Sequence, residues 1–204
     1  MAYQDRVAIF GRSSSGKSSL ARTIAMAARP PLTIIDPQGS ETTRVPGAVL
    51  WRDPRRPPAD AAVRRFVPDD PADLDAYDEV YRWTLQRNFP SYVWCDEAGD
   101  VFPVRRTPPN VRRLLTHGRK RQIGHLATHT RPREIDPNVI AQAMHVVMFQ
   151  LPNPADRRHL ADVAGVDPAL LSALLDSLDP YGYVWFDVAR HELTKFPPLD
   201  LGGR

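Results

Sequence analysis

A single cysteine, Cys95, leaves the 204-residue chain unable to form an internal disulfide. The fold must therefore be held by packing, and a reducing compartment suits it. Lysine is almost as scarce: only Lys17, Lys120 and Lys195 occur, so 24 of the 27 basic residues are arginine. No apolar run approaches the roughly 20 residues that a membrane helix needs, so no stable membrane insertion is expected. The opening MAYQDRVAIF runs directly into a strand pattern, and no secretory leader is expected. The formal net charge is only +3, which is weak evidence for a nucleic-acid partner.

What is present is ordinary for a globular chain: 42% hydrophobic and 25% charged residues, at a length that suits one domain over residues 1–204. Arginine favours bidentate phosphate contacts. Together with 21 prolines it fits a GC-rich genome equally well, and the prolines also suit shortened, stiffened loops.

Apolar runs RVAIF (Arg6 to Phe10), LTIID (Leu32 to Asp36), SYVWCD (Ser91 to Asp96), IGHLATH and HVVMFQL (His145 to Leu151) read as strands. VLW and RRFV add two short strand-like pieces. Helical periodicity appears from about Lys17 to Ala28, from Pro71 through LQRN, from about Asn110 to Arg121, near Pro137 to Ala143, and near Pro154–Ala164 and Pro168–Leu178. In the Asn110–Arg121 stretch Val111, Leu114, Leu115 and Gly118 form an inner stripe, with Arg112, Arg113, Arg119 and Lys120 outside. YVWFDVARHELTKF predicts a terminal β-hairpin. Strands alternating with helices, several of them apolar throughout, predict an α/β fold with a parallel sheet covered on both faces.

Residues 11 to 18 read GRSSSGKS, the G-x-x-x-x-G-K-S pattern of a phosphate-binding P-loop, set between an apolar strand and a helix. Backbone N–H groups around Ser14 to Ser18 are expected to cradle phosphates at the helix N-terminus. Gly11, Ser14, Ser15, Gly16, Lys17, Ser18 and Ser19 are the candidate nucleotide contacts, with Lys17 reaching the β- and γ-phosphates and the Ser18 hydroxyl on Mg²⁺. YVWCDEAGD supplies the second element. Asp96, at a strand tip, suits the Mg²⁺ shell, and Glu97 directly after it can accept a proton from an attacking water. The expected cofactors are ATP and Mg²⁺. His117, His125, His145, His159 and His191 show no metal-ligand spacing, and His125 and His145 read as core histidines. Trp51, Trp83, Trp94 and Trp185 read as packing residues.

LTIID lies between the P-loop strand and the Asp-Glu strand in chain order. An inserted strand with an adjacent glutamate resembles the P-loop ATPases that hydrolyse through a glutamate base, mostly motors, rather than small-molecule kinases. The stretch from Gly118-Arg119 through LATHTRP to Ile135 then resembles the FtsK/HerA superfamily of DNA-pumping ATPases, and within it the genome-packaging ATPases of tailless double-stranded DNA viruses. IIDPQGSE and LPNPADRRHL fit the same pattern, and the resemblance spans roughly Arg6 to Leu160.

The resemblance implies a RecA-like P-loop core, ATP hydrolysis coupled to double-stranded DNA translocation into a preformed capsid, and a pentameric or hexameric ring at a capsid vertex. It places the protein in the host cytoplasm or the virion. It also implies an arginine acting across the subunit interface, for which Arg119 and Arg121 are the candidates, while Arg112 and Arg113 could face DNA phosphates. Relatives end the fourth strand in a glutamine that senses the γ-phosphate. Here Thr128, His129 and Thr130 stand there: His129 is the better donor, whereas Thr130 aligns when Arg131-Pro132 is the anchor. The sequence shows neither the membrane segments and winged helix of FtsK relatives nor the N-terminal barrel of HerA relatives, which points to the viral branch or a small mobile-element ATPase. The rival expectations are a nucleotide or metabolite kinase and a non-hydrolysing ATP-binding component of a virion or secretion assembly.

Overall fold

A computed structural model describes residues 5–28, 31–87 and 90–199. The described residues form one nine-stranded sheet in the order β3-β4-β2-β5-β6-β1-β7-β8-β9. The strands are β1 (Arg6–Phe10), β2 (Leu32–Ile35), β3 (Val49–Trp51), β4 (Val63–Phe66), β5 (Ser91–Cys95), β6 (Ile123–His129), β7 (His145–Met148), β8 (Tyr183–Asp187) and β9 (Glu192–Phe196). The first seven run parallel. β8 and β9 are antiparallel and form the expected hairpin.

The helices are α1 (Lys17–Ala27), α2 (Leu74–Gln86), α3 (Ala98–Val101), α4 (Pro109–His117), α5 (Asn138–Ala141), α6 (Pro154–Ala164) and α7 (Pro168–Asp176). No helix among the described residues is long and apolar enough to cross a membrane. Strand side chains alternate between two apolar layers, as a pleat requires. Val7, Ile9, Leu32, Ile34, Trp94 and Leu126 pack against Leu20, Ala21 and Ile24 of α1. Ala8, Phe10, Ile35, Val93 and Ala127 face the other way, onto residues of α2, α4, α6 and α7. Both faces of the parallel part are therefore covered, which explains why its strands read as continuous apolar runs.

Three expectations change. The strand between the P-loop strand and the Asp-Glu strand is β6, not LTIID: β2 lies on the outer side of β5. Chain order does not give sheet order, because a crossover can return a late strand between two early ones. The helix expected over residues 110–121 ends at His117, and Gly118–Arg121 tightens into a 3₁₀ turn closed by Gln122 at φ 57°. A Cβ on Gly118 would stand 3.3 Å from Leu114 Cγ and 3.4 Å from the Ile123 carbonyl, so a glycine is what lets this turn lie on the start of β6. Asp73, rather than Pro71, begins α2, its carboxylate accepting from the Ala76 N–H as an N-cap.

His125 is buried in mid-β6, where its Nε2 pairs with the Tyr81 hydroxyl at 3.1 Å, and burial pushes its pKa down to about 3. It is a satisfied core histidine, as expected. Trp51 and Trp94 are fully buried as well.

Candidate nucleotide-binding site

The loop after β1 has little room for side chains. A Cβ on Gly11 would fall 2.6 Å from Phe149 Cβ and 2.8 Å from Ser15 Oγ. Gly16, at φ 101°, begins α1 in a left-handed conformation that glycine adopts at low cost. Arg12 donates its N–H to the Gln150 carbonyl at 3.0 Å, which ties the loop to the end of β7. The first turn of α1 holds no acidic residue, so its free N–H groups and positive dipole end remain available to an anion. Ser15 Oγ is buried without a hydrogen-bond partner among the described residues, a spare donor at the same place.

Lys17 is buried, and its ammonium donates to the Arg12 carbonyl at 2.9 Å. Burial lowers its pKa, while Glu97 and Asp96 pull in the opposite direction. Those carboxylates lie beyond the end of β5. The register that pairs Cys95 with Ala127 sets Asp96 and Thr128 side by side on the α1 face. Thr128 Oγ1 donates to Asp96 Oδ1 at 2.5 Å, and Ser18 Oγ donates to the same oxygen at 3.4 Å.

The next pair along is Glu97 and His129, with His129 Nδ1 3.2 Å from Glu97 Oε2. Glu97 holds a left-handed backbone, φ 48° and ψ 59°, unusual for a residue with a side chain and of the kind that clusters at functional sites. Gly99 makes room for this pair: a Cβ there would be 2.5 Å from His129 Cε1 and 2.7 Å from Nε2. His129 Nε2 lies 3.9 Å from the Glu134 carboxylate.

The adjacent carboxyls are pushed apart. Burial raises the Asp96 pKa, opposed by the Thr128 bond, with Glu97 and Asp36 adding to the rise and Lys17 opposing it. The His129 bond lowers that of Glu97, against its burial and helped by the charges of His129 and Lys17. Glu97 therefore stays ionised and able to take a proton. Ser18 and Asp96 offer oxygen donors of the kind that suit a hard divalent cation, whose other ligands would come from phosphate and water.

Asp36, buried at the end of β2, organises the third wall. It accepts from the Ser40 N–H, from Thr43 Oγ1 and from Arg65 at 2.5 Å, and so fixes the loop that carries Gln38, Ser40 and Thr42. Ser14, Ser15, Gly16, Lys17, Ser18, Ser19, Asp96 and Glu97 line one cavity of about 590 Å³, which this loop also borders.

Of the residues expected at the site, Ser14, Ser15, Gly16, Lys17, Ser18, Ser19, Asp96 and Glu97 line the cavity, while Gly11 lies against Phe149 at the base of the loop and His129 joins through Glu97. Thr130 is half-buried beyond them. Arg119 and Arg121 do not join them. Both sit in the turn before β6, at the opposite edge of the sheet, a seven-residue strand away, which is on the order of 20 Å. Arg121 donates to the Leu85 carbonyl at the end of α2. Sequence reasoning did not assign Thr128, Gly99, Asp36, Phe149 or Tyr181. Two of them had a signal: Thr128 stands one residue before the candidate sensor, and Asp36 lies in the IIDPQGSE stretch.

No protein-family model matches the sequence, and no curated protein matches it. Solved structures do. The genome-packaging NTPase B204 of Sulfolobus turreted icosahedral virus 2, in complex with AMP, aligns with a TM-score of 0.80 at 20% identity, over 98% of this chain and 100% of that one. The fold is that of a P-loop NTPase. The AMPPCP complex of B204 gives 0.77 at 19% identity, over 98% and 100% of the two chains. VirB4 of Thermoanaerobacter pseudethanolicus gives 0.69 at 10% identity, over 95% and 89%. The fold shared with B204 thus spans nearly the whole of this chain, and it puts the P-loop and the Asp96–Glu97 pair at the carboxyl edge of one parallel sheet, where open α/β sheets bind ligands.

Proposed function

We propose that this protein is a Mg²⁺-dependent ATPase that translocates double-stranded DNA and packages a viral genome into a preformed capsid. The observation that carries this reading is the convergence of Lys17, Ser18, Asp96 and Glu97 on one cavity within a packaging-ATPase fold. B204, solved with AMPPCP and with ATP-γ-S, supports the nucleotide. Likeness to VirB4 and to the conjugation coupling protein TcpA supports a second reading, a mobile-element DNA translocase. The better fit over the full length of both chains favours packaging.

In this reading the α1 N-terminus and Lys17 hold the β- and γ-phosphates. Ser18 and Asp96 hold Mg²⁺, which when bound neutralises phosphate charge. Thr128 orients Asp96. Glu97 takes a proton from the attacking water, and His129 positions Glu97 and reports on the γ-phosphate through the same contact. Arg119 or Arg121 reaches the γ-phosphate of a neighbouring subunit in a pentameric or hexameric ring, and Arg112 and Arg113 are available to DNA phosphates. The protein then works at a capsid vertex, in the infected host or the virion.

Phosphate release measured with and without double-stranded DNA, beside native mass, tests this. The rate is expected to rise with DNA and with assembly. Lys17→Ala should abolish turnover, and near-normal hydrolysis by it would refute the P-loop assignment. Glu97→Gln should keep ATP binding and lose at least about 10²-fold in turnover. A monomer indifferent to DNA would refute the motor.

A further inference from the structure

The nucleotide cavity has two chemically different ends, and the order of strands says which is which. Glu97 and Asp96 enter from β5, on one side of the P-loop strand. On the other side the walls are apolar: Phe149 follows β7, Tyr181 precedes β8, and Pro198 and Leu199 follow β9. A triphosphate whose terminal phosphate meets Lys17 and Glu97 must extend its sugar and base toward that apolar end.

Tyr181 is the exceptional residue there. It is 60% exposed, more than any other large hydrophobic side chain among the described residues, so packing does not account for it. Its φ is 66°. The Gly182 N–H donates to the Asp179 carbonyl at 2.9 Å, which makes Asp179–Gly182 a tight turn with Pro180 second and Tyr181 third. A positive φ in that third slot is normally given to glycine. An aromatic residue held against its backbone preference suggests a role outside folding. A Cβ on Gly16 would stand 3.8 Å from Tyr181 Cδ1, so the ring reaches over the loop at the start of α1. Phe149 forms the floor beneath, 5.3 Å from Tyr183, and Tyr183 stacks on Phe196 at 14°, which brings the chain after β9 back toward the cavity.

We propose that Tyr181 is the stacking platform for the nucleobase of the bound nucleoside triphosphate. Base–aromatic stacking contributes substantially to affinity and uses the face of the base rather than its edge. The proposal rests on the nucleotide reading above and adds the residue that holds the base.

Calorimetric titration in Mg²⁺ with ATP and with inorganic tripolyphosphate, which has no base, tests it. Tyr181→Gly suits the left-handed turn better than the native residue, so the fold should persist, checked by a thermal midpoint no lower than that of the unsubstituted protein. This variant should bind ATP about tenfold more weakly and tripolyphosphate as before. Tyr181→Phe should bind both normally. ATP affinity unchanged in Tyr181→Gly would overturn the proposal, as would equal loss of ATP and tripolyphosphate, which would mean that Tyr181 acts through the P-loop. If the unsubstituted protein bound neither ligand, the nucleotide reading itself would fall.

Discussion

The two ends of β6 reach different partners. At its carboxyl end Thr128 and His129 bond Asp96 and Glu97 beside the α1 N-terminus. At its amino end the 3₁₀ turn presents Arg119 to solvent and ties Arg121 to α2. Parallel strands bring all their carboxyl ends to one edge, so a single copy builds one nucleotide site there. A residue at the other edge can join only the site of another copy. The five residues expected to be catalytic therefore divide into Lys17, Glu97 and His129, which lie at the carboxyl edge of one copy, and Arg119 and Arg121, which in the proposed mechanism would have to serve the site of a second.

The largest effect should come from breaking that division at Arg119. Arg119→Ala should spare ATP binding and the monomer rate, and lower the assembled rate by about 10³-fold if it is the arginine acting in trans. Mixing it with Glu97→Gln should restore turnover, since each keeps the half the other lacks. A loss of less than about tenfold would remove Arg119 from the mechanism.

At the carboxyl end, Gly99→Ala sharpens the comparison. The new methyl occupies the place of the His129 ring and should displace it from Glu97, lowering turnover on the order of 10²-fold with ATP affinity unchanged. Undiminished turnover would show that the His129 contact does not position Glu97.

Midway along the strand, His125 gives a pH signature unrelated to the site. Its folded pKa of about 3 lies below the unfolded value of 6.5, so the unfolded chain takes up the proton first. His125 therefore costs stability as pH falls from about 6.5 toward 3, with a limiting slope of about 1.4 kcal/mol per pH unit. Denaturation curves at pH 7, 6 and 5 should show this slope reduced in His125→Gln, and an unchanged slope would contradict the burial argument. The smallest effect belongs to Arg121→Ala, which removes a hydrogen bond to the Leu85 carbonyl and should cost about 1 kcal/mol. A full catalytic loss there with stability intact would instead make Arg121 the residue that acts in trans.

Much of the site was legible because its chemistry is local. Gly11 to Ser18 are contiguous, and their spacing alone dictates a phosphate loop. Asp96 and Glu97 sit together at the end of a five-residue apolar strand. Arg119 and Arg121 were legible only as a motif, since GRKR carries no information about which edge of the sheet it occupies. Gly99 and Tyr181 left no signal. Gly99 matters because of a ring 30 residues later in the chain, and Tyr181 because a turn before β8 comes to lie over a loop that follows β1.

By itself, then, the sequence determined the strand–helix alternation, the phosphate loop and the paired carboxylates, since hydrophobic period and short-range spacing act between near neighbours in the chain. The tertiary structure alone decided that β6 enters between β1 and β5, that Thr128 meets Asp96 and His129 meets Glu97, and that the apolar end of the cavity is closed by residues after β7 and β9. Those are contacts between strands, and their pairing depends on how crossovers pack across the whole sheet rather than on any one segment's own preference.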